Sequence, residues 1–293
     1  MATAYTACLN WVMPDLPMAP VDVTTNAIRD AVIDLCERAL IWRTEVQQIL
    51  VLAPTSTTTT AAAAQFATDV VVTSIANFND LDTIKVELDN GTWWRGHVSG
   101  TPVGSAIHLD GALNQAVESG ATVTKFVDLY PITIGVTGAA MAKGLKAWLN
   151  DAPIDPISQD DLDNEFNNTS FGWVGVNWRT DVNLPTRWYM PDDNTVGLVM
   201  PPNAGGNLRI QAALKPTRAS TTFLDWIYER YIETIAHGAK ARMMLDPKKP
   251  YSDKELGAYH QAQFDAGIGE ARVRAARSNT RAPLRSHTVF GLR

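Results

Sequence analysis

With 293 residues, 45% of them hydrophobic and 19% charged, the chain has the make-up of a globular protein with room for two domains, not of a disordered one. Its net charge of -6 argues against a broad DNA-gripping surface, which needs Lys and Arg to neutralise phosphates. No apolar run approaches the ~20 residues of a membrane helix. The start, "MATAYTACLNWVMPDLP", lacks the basic and then apolar pattern of a secretory signal. Cys8 and Cys36, the only cysteines, are too few for a disulfide framework and suit a reducing compartment.

In chain order, the first element is "TTNAIRDAVIDLCERALIWR". Ile28, Val32, Leu35, Ala39 and Trp42 recur at spacings of three and four, the stripe of an amphipathic helix. Thr24, Thr25 and Asn26 are candidate N-caps, and Cys36 beside the stripe reads as buried packing. After Pro54 the low-complexity run "TSTTTTAAAAQ" reads as a linker and a domain boundary. The pattern then changes to short β-branched or alternating runs, "ATDVVVTSI" and "DTIKVELDNGTWWRGHV", which predict strands. Asn90-Gly91 predicts a type I′ hairpin turn. Its return strand places Trp93, Arg95 and His97 on one face, with Trp94 and Val98 on the other. "SAIHLDGAL" and "SGATVTKFVDLY" complete four or five strands, a small β-barrel or sandwich over residues 61–132.

From "ITIGVTGAAMAKGLKAWLND" to about Asn207, turn clusters alternate with short apolar runs, an irregular β region. Two helices finish the chain. Thr222 with Asp225, and Ser252 with Glu255, have capping-box spacing. Phe223, Ile227, Tyr231 and Ile235 form the stripe of the first. Pro283 ends any helix and leaves the last ten residues extended. The expected fold is α+β: one N-terminal and two C-terminal amphipathic helices forming a small bundle, with the irregular β region. Residues 1–60 and 133–293 form this helical domain, and the β-barrel-like domain 61–132 is inserted into it. Three helices are few for a free-standing core, which points to neighbours in an oligomer.

Chemistry-bearing motifs are scarce. His97, His108, His237, His260 and His287 show no metal-ligand spacing. In "QDDLDNEFNN", Asp161, Asp163 and Glu165 alternate like calcium ligands, but Phe166 stands where the sharp-turn glycine belongs, so a helix-starting acidic turn is the better reading. "GVTGAAMAKGLK" misses the phosphate-cradling spacing, and "GHVSG" places its serine one position late for a nucleophile elbow. No catalytic residue, metal ligand or cofactor site follows from the residues, and the chain does not read as an enzyme. Trp93, Trp94, Arg95 and His97 form a candidate ligand or subunit contact, because an aromatic and basic face can stack a sugar or a base.

The segments "PVDVTTNAIRDAVIDLCERALIWR", "APIDPISQDDLD", "LPTRWYMPDDNTVGLVMPP", "LRIQAALKPTRAS", "FLDWIYERYIETIAHGAKARMM" and "PYSDKELGAYHQAQFDAGIGEARVRAA" occur in that order. Together they resemble the head-to-tail adaptor proteins of tailed bacteriophages, the short-tailed type in particular. The resemblance covers roughly residues 20–54 and 145–277. Residues 65–130 depart from it and resemble a small β module of phage structural proteins. It implies a structural protein of the virion neck, assembled in the host cytoplasm. It further implies a ring of about twelve copies below the portal protein, with genomic DNA passing through the channel without specific binding. A downstream tail or nozzle protein is the second partner, and no membrane is involved. A tail-tube or nozzle subunit, and a glycan-binding virion protein working through the β module, are the alternatives.

The C-terminus fits this picture. Six arginines and no acid lie between Arg272 and Arg293, which leaves -12 on residues 1–271. Arg272, Arg274 and Arg277 belong to the last helix, where its dipole favours cations. Beyond Ser278, Leu284, Val289, Phe290 and Leu292 alternate with Arg281, Arg285, His287 and Arg293. A tail that only grips DNA has little need of the four apolar groups. The resemblance makes this stretch, with Arg277, a portal-docking arm.

Overall fold

The computed structural model describes residues 2–162 and 183–277. β1 (Ala2–Ala4), a 3-10 turn (Tyr5–Cys8), α1 (Leu9–Val12), a second 3-10 turn (Met13–Asp15) and α2 (Val21–Ala39) open the chain. Then come β2 (Trp42–Val51), β3 (Thr55–Thr58), β4 (Asp69–Val71), β5 (Thr83–Glu87), β6 (Trp93–His97), β7 (Ala106–His108) and β8 (Thr122–Lys125). β9 (Leu129–Pro131), β10 (Ala139–Leu149), β11 (Ala152–Pro156), β12 (Arg187–Asp192), β13 (Thr195–Val199), β14 (Gly206–Pro216) and β15 (Thr222–Leu224) follow. α3 (Asp225–Leu245) and α4 (Lys254–Ala276) end the described chain. The fold is α+β, with a curled, half-barrel β-sheet. The chain divides into two compact units: Met1–Glu45, Ile134–Gly144 and Gln211–Arg293 form the first, Val46–Thr133 and Leu145–Ile210 the second.

In the first unit α2, α3 and α4 share one apolar core with the N-terminal segment. The stripe of α2 is buried from Ile28 through Val32 and Leu35 to Ala39. The helix stops there because Leu40 turns left-handed, φ 52°, with its N–H bonded to the Cys36 carbonyl at 3.0 Å. Trp42, expected on the helical stripe, instead begins β2. The helix also starts earlier than the candidate caps, at Val21 after Pro20. Thr24 and Thr25 donate their hydroxyls back to the carbonyls of Pro20 and Val21, a bond made inside a helix rather than at its cap.

Tyr5, Cys8, Val12 and Leu16 are all sealed in this core. β1 pairs antiparallel with β15, Thr3 opposite Phe223, and Tyr5 stacks on Phe223 with ring centroids 5.1 Å apart. The Thr3 hydroxyl donates to the Asp225 carboxylate at 2.5 Å. Thr222 is therefore a strand residue rather than a cap, since the pairing with β1 extends the backbone up to the first residue of α3. At α4 the cap is Asp253, whose carboxylate accepts from the N–H groups of Glu255 and Leu256. Ser252, the expected cap, gives its hydroxyl to the Asp246 carbonyl. The three helices meet at Gly238, where a Cβ would lie 2.7 Å from Phe264 and 3.0 Å from Ala31. Only a residue without a side chain permits that approach.

A seven-stranded sheet runs β2-β14-β10-β11-β12-β13-β9. The stretches expected to be irregular contain β10 and β14, strands of 11 residues each. A four-stranded sheet, β3-β8-β5-β6, and the β4–β7 pair enclose a separate core of Val70, Ile84, Val86, Trp94, Ile107, Val123 and their neighbours. The threonine run expected to be a linker is β3, paired with β8 from Thr55–Lys125 to Thr58–Thr122, in keeping with the strand preference of β-branched residues. The turn between β5 and β6 differs from the expected type I′. Gly91 alone has positive φ, 74°. Its N–H bonds the Leu88 carbonyl, while the Leu88 N–H bonds Thr92, the pattern of a longer turn closed by a left-handed glycine.

Candidate functional site

β6 sorts the four hairpin residues by the alternation of a strand. Trp94 points inward and is 8% exposed, its indole N–H donating to the Ala112 carbonyl at 3.2 Å. Trp93, Arg95 and His97 share the outer face, and each has a partner in the same unit. The Lys85 ammonium sits 4.2 Å from the centre of the Trp93 ring, a cation–π contact that also covers the buried stem of Lys85. Arg95 forms an ion pair with Asp128, and its guanidinium lies 5.4 Å from the Phe126 ring centre. His97 Nδ1 is 2.9 Å from the Asp110 carboxylate, which also accepts the His97 backbone N–H at 2.8 Å. Burial pushes the Asp110 carboxyl up, but the hydrogen bonds from His97 outweigh it and hold it below the usual carboxylate value. A second such pair, His108 with Asp69, stands on the neighbouring strands.

Of the expected docking arm, Arg277 is the C-cap of α4, its N–H bonded to the Val273 carbonyl at 3.2 Å. Arg281, Leu284, Arg285, His287, Val289, Phe290, Leu292 and Arg293 lie outside the described residues. So do Asp163 and Glu165 of the acidic turn, whereas Asp161 accepts the Ser158 hydroxyl at 2.6 Å at the start of a short helical turn.

Burial pushes the Cys8 and Cys36 thiols up to about 12, so both are protonated at neutral pH and poor nucleophiles. Tyr5, likewise buried, is raised to about 12. Among the described residues no group of three or more His, Cys, Asp or Glu is placed to hold a metal ion, and no helix is long and apolar enough to cross a membrane.

One convergence has no signature in residue spacing. His237 of α3 and His260 of α4 meet with Nδ1 atoms 2.7 Å apart. The signal that existed was the burial stripe of α4, on which His260 alternates with Gly257, Phe264, Ile268 and Ala271.

Compared with known proteins, residues 105–287, more than half of the chain, match the model of the SU10 adaptor protein family. The match begins just before β7 and runs through β15 into α3 and α4. No curated protein matches the chain.

Proposed function

The chain belongs to the SU10 adaptor protein family, and from that membership we propose that it is a phage head-to-tail adaptor working in a ring of about twelve copies below the portal protein. The family match over residues 105–287 carries this reading. In it, the ring continues the DNA channel and offers the next tail or nozzle protein its platform.

Two features of the chain support it. The balance of -12 on residues 1–271 suits a channel wall that repels the duplex at short range, with screening beyond ~8 Å at physiological salt. Helices that bury one core only with the help of a strand, two short turns and the chain start suit a subunit with further faces for its neighbours. Residues 61–132, joined by β3 in one sheet, are then a β insertion in the adaptor body, and Trp93, Arg95 and His97 lie on its outer strand as a contact for a neighbouring subunit. Residues 278–293, with Arg277 at the end of α4, are the portal-docking arm.

The test is a pull-down of the full chain and of a chain ending at residue 277 against the portal protein of the same phage. The full chain binds and the truncated one does not, although both fold alike. Equal binding by both would contradict the docking arm, and no binding by either would contradict the adaptor role.

A further inference from the structure

α3 and α4 bring two histidines together where they pack on each other. His237 Nδ1 and His260 Nδ1 are 2.7 Å apart, with ring centres at 5.0 Å. His260 is 5% exposed, and Tyr259 sets its ring edge-on to His237 at 6.3 Å. One turn beyond His237, Lys240 forms an ion pair with Asp15 of the second 3-10 turn at 2.5 Å. One turn before it stands Glu233. On the side of α2, Asp30 and Asp34 are engaged by Arg242 instead.

A hydrogen bond between two Nδ1 atoms requires one that carries hydrogen and one that is bare. The contact therefore survives with both rings neutral or with one imidazolium, but not with two. A second proton would turn both Nδ1 groups into donors facing each other, next to the Lys240 ammonium. Asp15 and Glu233 offset part of that charge, and Asp15 is already committed to Lys240.

We propose that the His237–His260 pair is an acid-released latch, which fastens α4 to α3 at neutral pH and opens when both rings are protonated. This rests on the packing of the first unit and stands apart from the adaptor reading. Burial holds His237 below the usual histidine value, helped by Lys240 against Glu233 and Asp15. Burial does the same for His260, helped by His237 and Lys240 against Asp15. The unfolded chain takes up protons near the ordinary value of 6.5, and the folded chain resists them. The latch thus contributes its full stability above pH 6.5, loses it as pH falls through the lowered folded values, and loses no more below them. Asp15, held low first by its hydrogen bond from Lys240, keeps its charge as pH falls past the ordinary histidine value.

Hydrogen exchange of the full chain at pH 7.5 and 5.5, corrected for intrinsic rates, reads the latch directly. Amides of α3 and α4 around His237 and His260 lose protection as pH falls between the ordinary histidine value and the lowered folded ones, by at most about a hundredfold per pH unit because the open form takes up two protons. The segments around His97 and His108 in the second unit report any general effect of acid. A His260→Gln chain loses this pH dependence. If that chain fails to fold, ring-proton NMR of the unmodified protein decides, with two imidazoles titrating below 6.5 in coupled steps. Protection independent of pH, or either ring titrating at the ordinary value, would overturn the latch. A saturable shift of both rings by equimolar zinc at pH 7.5 would also overturn it, by making the pair a metal-ligand set.

Discussion

The helical core of the first unit and the four-stranded sheet of the second handle polar residues in opposite ways. In the sheet, the outer face carries residues that look ready for a ligand, and protein partners already meet them: Lys85 on Trp93, Asp128 on Arg95, Asp110 on His97. In the helices, two ordinary-looking histidines 23 residues apart are brought into direct contact. A strand's alternation makes its outer residues conspicuous in sequence without revealing what covers them. Helix packing, in contrast, creates neighbours that no spacing announces.

The sharpest way to break this comparison is in the sheet's inner layer. Trp94→Ala should cost about 4 kcal/mol, the range for removing a buried indole, read as a fall in the urea midpoint of the second unit. A loss under about 1 kcal/mol would mean the sheet does not depend on its core. Next comes the helical contact: Gly238→Val should cost about 3 kcal/mol, since the added atoms would meet Phe264 and Ala31. Its effect belongs in the first unit's unfolding transition. Arg95→Ala should cost about 1 kcal/mol, because its pair with Asp128 is partly exposed. The smallest effect is expected at Trp93→Ala, well under about 1 kcal/mol for a half-exposed ring. A stable Trp93→Ala chain that loses binding to host-surface glycans would turn the outer face from a subunit contact into a ligand site.

Much of the α+β fold was legible because its signals are local. The stripes of α2 and α3 and the turn residues around Asn90-Gly91 each predict their element from neighbours a few positions away. What was hidden depended on distant partners. Tyr5, Cys8, Val12 and Leu16 follow a helical spacing, yet the start of the chain acquires its structure by pairing with β15 and packing beneath α2. Thr222 satisfied a capping pattern but lies where that same pairing needs a strand. The threonine run became β3 only because β8 supplies its partner. At the candidate site, alternation correctly put Trp94 on one face and Trp93, Arg95 and His97 on the other. Asp128 and Asp110, which engage the latter face, lie 33 and 13 residues further on.

Negative-stain microscopy of the full chain co-expressed with the portal protein of the same phage tests the adaptor assignment most directly. Closed rings of the chain stacked coaxially on one face of the portal are the predicted result. A stable monomer that leaves portal rings bare would contradict it.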